Sequence, residues 1–139
     1  MTRVDFHTNI ADKVSYACRL ARKAYGAGGK LVLLAPDAGL AAQLDAALWT
    51  VGETDFLPHA MAGSALAARS AIIVTDRMDA AFPHHDMLVN LTRSQPEGVE
   101  RFQRVFEIVA RDEDDAAAGR QRYVAYKQQA FPLTHFVAA

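Results

Sequence analysis

The chain has 139 residues, of which 51% are hydrophobic and 22% charged, with a formal net charge of −1. That length holds one domain with a real core and leaves too little for two, so residues 1–139 read as a single α/β unit. The near-neutral balance argues against a protein that holds duplex nucleic acid by its phosphates, a task that usually demands a basic surplus.

In chain order, RVDFHTN (3–9) alternates apolar and polar residues as a short strand does, with Val4 and Phe6 on one face. Asn9 or Asp12 can cap the following stretch, in which Val14, Ala17, Cys18, Ala21, Ala24 and Tyr25 recur at helical spacing before a glycine stop. KLVLLAP (30–36) is a continuous apolar run, the mark of a strand covered on both faces. Asp37 caps a second helix over 38–51, rich in good helix formers. Residues 52–70 mix Gly, Pro and apolar side chains and read mainly as loop. AIIVTD (71–76), HDMLVNLT (85–92) and RVFEIVAR (104–111) are three further strands. The acidic DEDD (112–115) suits the positive end of a helix running over 113–130, and Pro132 stops it. LTHFVA then closes the chain as a short edge strand. Strands alternating with helices, several strands wholly apolar, predict a three-layer Rossmann-like sheet, mostly parallel.

Cys18 cannot form an internal disulfide, so the chain reads as cytoplasmic and Cys18 as a small buried apolar residue. No apolar run approaches the roughly 20 residues of a membrane span. The opening MTRVDFHTN lacks the apolar segment of a signal peptide.

GAGGK (26–30) superficially suggests a phosphate loop. It follows a helix and precedes a strand, the reverse of the required order, and Leu31 stands where Ser or Thr belongs. It reads as a helix C-cap, with no nucleotide or other cofactor implied. PHHD (83–86) offers two histidines and an aspartate, but adjacent histidines in an extended chain point apart, so a loop before a strand is expected and no metal site. No GxSxG, HExxH or kinase-like motif appears, and no catalytic residue is assigned.

Charge is unevenly placed. From Leu31 to Ala68 there is no Lys or Arg, while Asp37, Asp45, Glu53 and Asp55 are negative. From Ala116 to Ala139 there is no Asp or Glu, while Arg120, Arg122 and Lys127 are positive. Two different partner surfaces are the simplest reading. RQRYVAYKQQAF (120–131) concentrates cations and rings. On a helix Arg120, Tyr123, Val124 and Lys127 share one face. That face is either a solvated surface near a helix C-terminus or a docking site for a short acidic, apolar peptide. In LDAALWTVGETDFLPH (44–59), Trp49 and Phe56 are either core residues or interface anchors.

Two words, QLDAALWT with FLPH and RQRYVAYKQQAF, resemble the chi subunit of bacterial DNA polymerase III, an accessory protein of the clamp-loader complex. Their order and separation fit, as do the chain length and the strand VDFH at its start. The resemblance implies a non-enzymatic adaptor on a Rossmann-like fold without a nucleotide site. It implies one surface for the psi subunit, formed by Trp49, Phe56 and Pro58. It implies another for the acidic C-terminal tail of single-stranded DNA-binding protein, formed by Arg120, Tyr123 and Val124 with Lys127 as an added cation. Nucleic acid would then be met only indirectly. This chain departs from the family in having Val124 where a basic residue can stand, and Ala130 in place of a glycine. The alternatives are a direct single-stranded nucleic-acid binder using Arg120, Arg122 and Lys127, or a nucleotide-dependent enzyme on the same fold.

Overall fold

A computed structural model describes residues 1–50 and 57–139. The strands are β1 (Arg3–Ile10), β2 (Leu31–Leu34), β3 (His59–Met61), β4 (Ile72–Thr75), β5 (Met87–Asn90), β6 (Arg104–Ala110) and β7 (Leu133–Val137). The helices are α1 (Lys13–Gly26), α2 (Ala38–Leu48) and α3 (Glu113–Gln128), with single 3₁₀ turns at Ala67–Arg69 and Val99–Arg101. The strands form one seven-stranded sheet in the order β3-β4-β2-β5-β6-β1-β7. Every pairing is parallel. The expected three-layer α/β architecture is therefore present, with helices on both faces.

The layers follow from chain direction. The connections from β1 through α1 to β2, and from β2 through α2 to β3, both run toward the β3 edge, so right-handed crossovers place α1 and α2 on one face. The connection from β6 through α3 to β7 runs the other way and puts α3 on the opposite face. The apolar clusters divide accordingly. Cys18, Ala21, Leu44 and Leu48 pack with Leu31, Leu33, Ile72 and Ile108 on the first face. Tyr126 packs with Val4, Phe6, Val105 and Val109 on the second. Strands β2, β4 and β5 are covered on both sides, which is why they are near-continuous apolar runs.

The caps are those the sequence indicated. The Asp12 carboxylate accepts from Ser15 N (3.0 Å) and that of Asp37 from Leu40 N (2.8 Å). At GAGGK the α1 carbonyls are closed by Ala27, Gly28 and Gly29 amides, with Gly28 at φ +85°. His84 and His85 lie in the loop before β5 and diverge: His84 Nε2 lies 3.2 Å from the Ser70 carbonyl, while the His85 ring packs on Phe102 at 5.2 Å. Of the stretch 52–70 the structure describes 57–70, which is less irregular than expected, since β3 and the first 3₁₀ turn lie there. β3 has only three residues and owes its existence to pairing with β4, which no local pattern announces.

Candidate functional site

The start of α3 is held to the C-terminal end of β6, the start of α1 and the loop after β5. Asp112 caps it by accepting from Asp115 N (3.0 Å). The Asp115 side chain turns inward and accepts from Ala110 N (2.6 Å), Lys13 Nζ (3.1 Å) and Arg93 Nε (3.0 Å). Burial pushes the Asp115 carboxyl up, but the Ala110 amide and the Lys13 and Arg93 cations outweigh it, and the group sits below its ordinary value.

Along the helix, Arg122 and Tyr126 face the sheet. Both reach Glu107, a fully buried carboxylate in the middle of β6: Arg122 Nε at 2.8 Å and Tyr126 Oη at 2.7 Å. Asn90 of β5 donates to the same carboxylate at 2.9 Å. Desolvation pushes the Glu107 carboxyl up, opposed by Arg122, Tyr126 and Asn90. With that row fixed inward, residues 120, 123 and 124 are turned away from the sheet centre.

There they line a groove of about 620 Å³ between α3, the end of β1, the end of β6 and β7. Its apolar wall is Tyr123, Val124, Ala116 and Gly119 from α3, with Phe6 and Val109 from the sheet. The Tyr123 ring stands edge-on to Phe6 at 5.2 Å. At Gly119 α3 lies tight against the sheet, since a Cβ there would lie 2.7 Å from Val109 Cγ1. The β1 side carries a bulge: pairing with β6 shifts between His7 and Ile10, and Asn9 sits at φ +62°. Bulges re-aim side chains beside sites, and here Thr8 and Asn9 both face the groove. His135 Nε2 is 2.7 Å from Thr8 Oγ1 and completes the far wall.

Two exposed arginines stand on the lining, Arg120 from α3 and Arg111 from the end of β6. Among the described residues neither guanidinium has an ion-pair partner. An apolar trough with unpaired guanidinium groups is shaped for an apolar side chain attached to a carboxylate.

The second stretch lies across the molecule. Trp49 caps α2 and is 58% exposed, so it is not a core residue. Its ring stands edge-on to His59 at 4.8 Å. His59 is buried, its Nδ1 2.7 Å from the Leu57 carbonyl and its Nε2 3.3 Å from Asp45 Oδ1. Pro58 is half-buried, and its carbonyl accepts from Ile72 N at 3.3 Å. Phe56 lies outside the described residues.

A family model described as DNA polymerase III chi subunit, HolC, matches residues 1–134. The DNA polymerase III subunit chi of Pseudomonas aeruginosa is 33% identical over 137 residues, spanning 96% of this chain and 94% of that protein. The chain belongs to the DNA polymerase III chi family. The chi subunits of Haemophilus influenzae and Escherichia coli are each 25% identical to it, over 118 and 116 residues. As a chi-family chain it is a replication accessory subunit and works within a complex.

Of the four residues named for one surface of this chi chain, the groove unites Arg120, Tyr123 and Val124. Lys127 is exposed one turn further along and does not line it. Arg122, counted as a surface cation in the nucleic-acid alternative, is 3% exposed and paired with Glu107, so that alternative loses a charge. Sequence reasoning missed Arg111, Asn9 and His135, which come from other segments and meet α3 only through the sheet. The Ala130 departure also has a visible context. Ala130 is at φ +65° in the turn that ends α3, a conformation glycine adopts without strain.

Proposed function

We propose that this chain is a non-catalytic adaptor that binds the acidic C-terminal tail of single-stranded DNA-binding protein and, at a separate surface, the psi subunit, linking the former to the clamp loader. The observation that carries the reading is the groove with Arg120 and Arg111 beside Tyr123, Phe6 and Val109. A tail ending in an apolar residue with a free carboxylate needs an aromatic trough and guanidinium groups that no internal carboxylate already holds. Arg111 supplies a second cation where Val124 replaces a basic residue. Trp49, exposed at the end of α2 on the opposite face of the sheet, supports the psi contact with the half-buried Pro58, and Phe56 is assigned to it by the family resemblance alone. An adaptor needs two surfaces that can be filled at once, and these come from different layers.

The test is a three-component mixture of this chain, psi and single-stranded DNA-binding protein on size exclusion. The parent chain carries both partners in one peak. Arg120→Ala should release the DNA-binding protein and keep psi, and Trp49→Ala should do the reverse. A parent chain that never holds both together would sink the adaptor reading.

A further inference from the structure

The other face of the β1–β7 edge carries a second groove, about 490 Å³, that neither proposed partner occupies. It lies on the α1 side of the sheet, where Tyr16, Arg19 and Lys23 of α1 face His7, Arg104 and Phe136 of the strands. Arg19 and Lys23 are exposed and one helical turn apart, about 6 Å along the axis. Among the described residues Arg19 is held by neutral groups, donating to Ser15 Oγ at 2.8 Å with its guanidinium 5.9 Å from the Tyr16 ring centre. Lys23 has no ion-pair partner among the described residues. Asp5 is the one carboxylate on the lining; it is buried and already engaged by Arg104 Nε at 2.6 Å, by Arg3 Nε at 3.5 Å and by the Thr134 hydroxyl. Among the described residues no carboxylate therefore pairs with Arg19 or Lys23.

The wall is aromatic. Phe136 is 54% exposed on the edge strand, tilted against His7 with centroids 5.6 Å apart. The His7 ring is oriented by a hydrogen bond between Nδ1 and the Tyr16 hydroxyl. Burial, with Arg104 nearby, lowers its affinity for a proton against the pull of Asp5. An open ring face beside cations spaced along a groove is the arrangement by which proteins hold single strands, the cations taking phosphates and the rings stacking bases. An acidic peptide would also satisfy the cations, and replacing Phe136 separates the two: a stacked base loses its platform, whereas a chain held by charge alone does not.

We propose that this groove binds a short stretch of single-stranded nucleic acid, with phosphates on Arg19 and Lys23 and a base on Phe136. The site opens on the other face of the β1–β7 edge from the tail groove, and the two share His135 of β7 in their linings. A subunit of a replicative polymerase works beside such strands, and a chain of net charge −1 would hold them weakly enough to let go.

The experiment is fluorescence anisotropy of a labelled oligothymidylate with the full chain, over a salt series. Saturable binding at low salt is expected, with log K falling against log salt at a slope of about −1.4, or −0.7 for each of two phosphates. Arg19→Ala with Lys23→Ala should remove most of that slope. Phe136→Ala should weaken binding about fivefold or more, the lower end of what losing one base–ring stack costs. Arg120→Ala should change nothing, which separates this site from the groove under α3. All these side chains are exposed, so an unchanged thermal transition certifies each variant. Absence of saturable binding at low salt, or variants that bind as the parent does, would overturn the proposal. So would competition by polyglutamate combined with an indifferent Phe136→Ala, which would mark a surface for acidic chains instead.

Discussion

Replacing Glu107 by Gln keeps the size of the side chain and removes its charge. In the folded chain that carboxylate is fully buried and accepts from Arg122, Tyr126 and Asn90 at 2.7–2.9 Å. Arg122 is itself 3% exposed, and among the described residues its Nη1 and Nη2 find no hydrogen-bond partner, so Glu107 is what balances it. Breaking one side of a buried pair costs about 3–5 kcal/mol, because the other charge stays desolvated. Glu107→Gln should fall at the lower end, since an amide still accepts from Tyr126. Against a total stability of about 5–15 kcal/mol, that lowers the melting temperature by roughly 10 °C for a chain of this size. Arg122→Met should cost a similar amount by stranding the carboxylate. The double variant removes both charges and should recover at least about 2 kcal/mol of the summed loss. Urea denaturation at neutral pH, with an unchanged slope against denaturant, reads all three. Single variants within about 1 kcal/mol of the parent, or a double variant as poor as the sum of the singles, would refute the claim that this pair anchors α3.

Three further outcomes follow from the same surroundings. Gly119→Ala raises helix propensity by about 1 kcal/mol, yet the new methyl would meet Val109 at 2.7 Å, so a net loss of about 1–2 kcal/mol and weaker tail binding are expected from denaturation and titration. Ala130→Gly relieves a positive φ and should raise stability by about 0.5–1 kcal/mol, seen as a higher melting temperature. Asp115 has a folded-state value below its ordinary 3.8, so its contribution is present above that pH and lost as pH falls through the lower folded value. Asp115→Asn should therefore be less stable at neutral pH and lose less on acidification below about pH 4 than the parent, and parallel melting curves from neutral to acid would contradict this.

The fold was legible because its central strands are nearly continuous apolar runs and each helix starts at a side-chain cap. β3 was not, since three residues of mixed character become a strand only beside β4. At the site, the stripe Arg120, Tyr123 and Val124 could be read from helical spacing alone. Arg122 could have been set apart by the same geometry, because two residues along a helix is a rotation of about 200° and turns the side chain to the other face. Its partner Glu107 lies on a strand that otherwise reads as apolar, and a carboxylate in such a strand is a sign of a buried pair. Arg111, Asn9 and His135 could not be assembled from spacing. They depend on strand order, on the bulge in β1 and on β7 pairing with β1 at the edge. Lys127 continues the helical stripe, but the groove stops before reaching it.

The central claim is that the groove under α3 receives an acidic tail with an apolar, carboxylate-bearing end. Calorimetric titration of the full chain with a peptide of the tail of single-stranded DNA-binding protein tests it most directly, beside a matched peptide lacking the terminal apolar residue. Saturable heat from the first peptide and none from the second is expected, with Arg120→Ala and Arg111→Ala each weakening binding about tenfold as one charge-assisted contact is lost. No heat at low or high salt, equal binding of both peptides, or indifference to both arginine variants would contradict it.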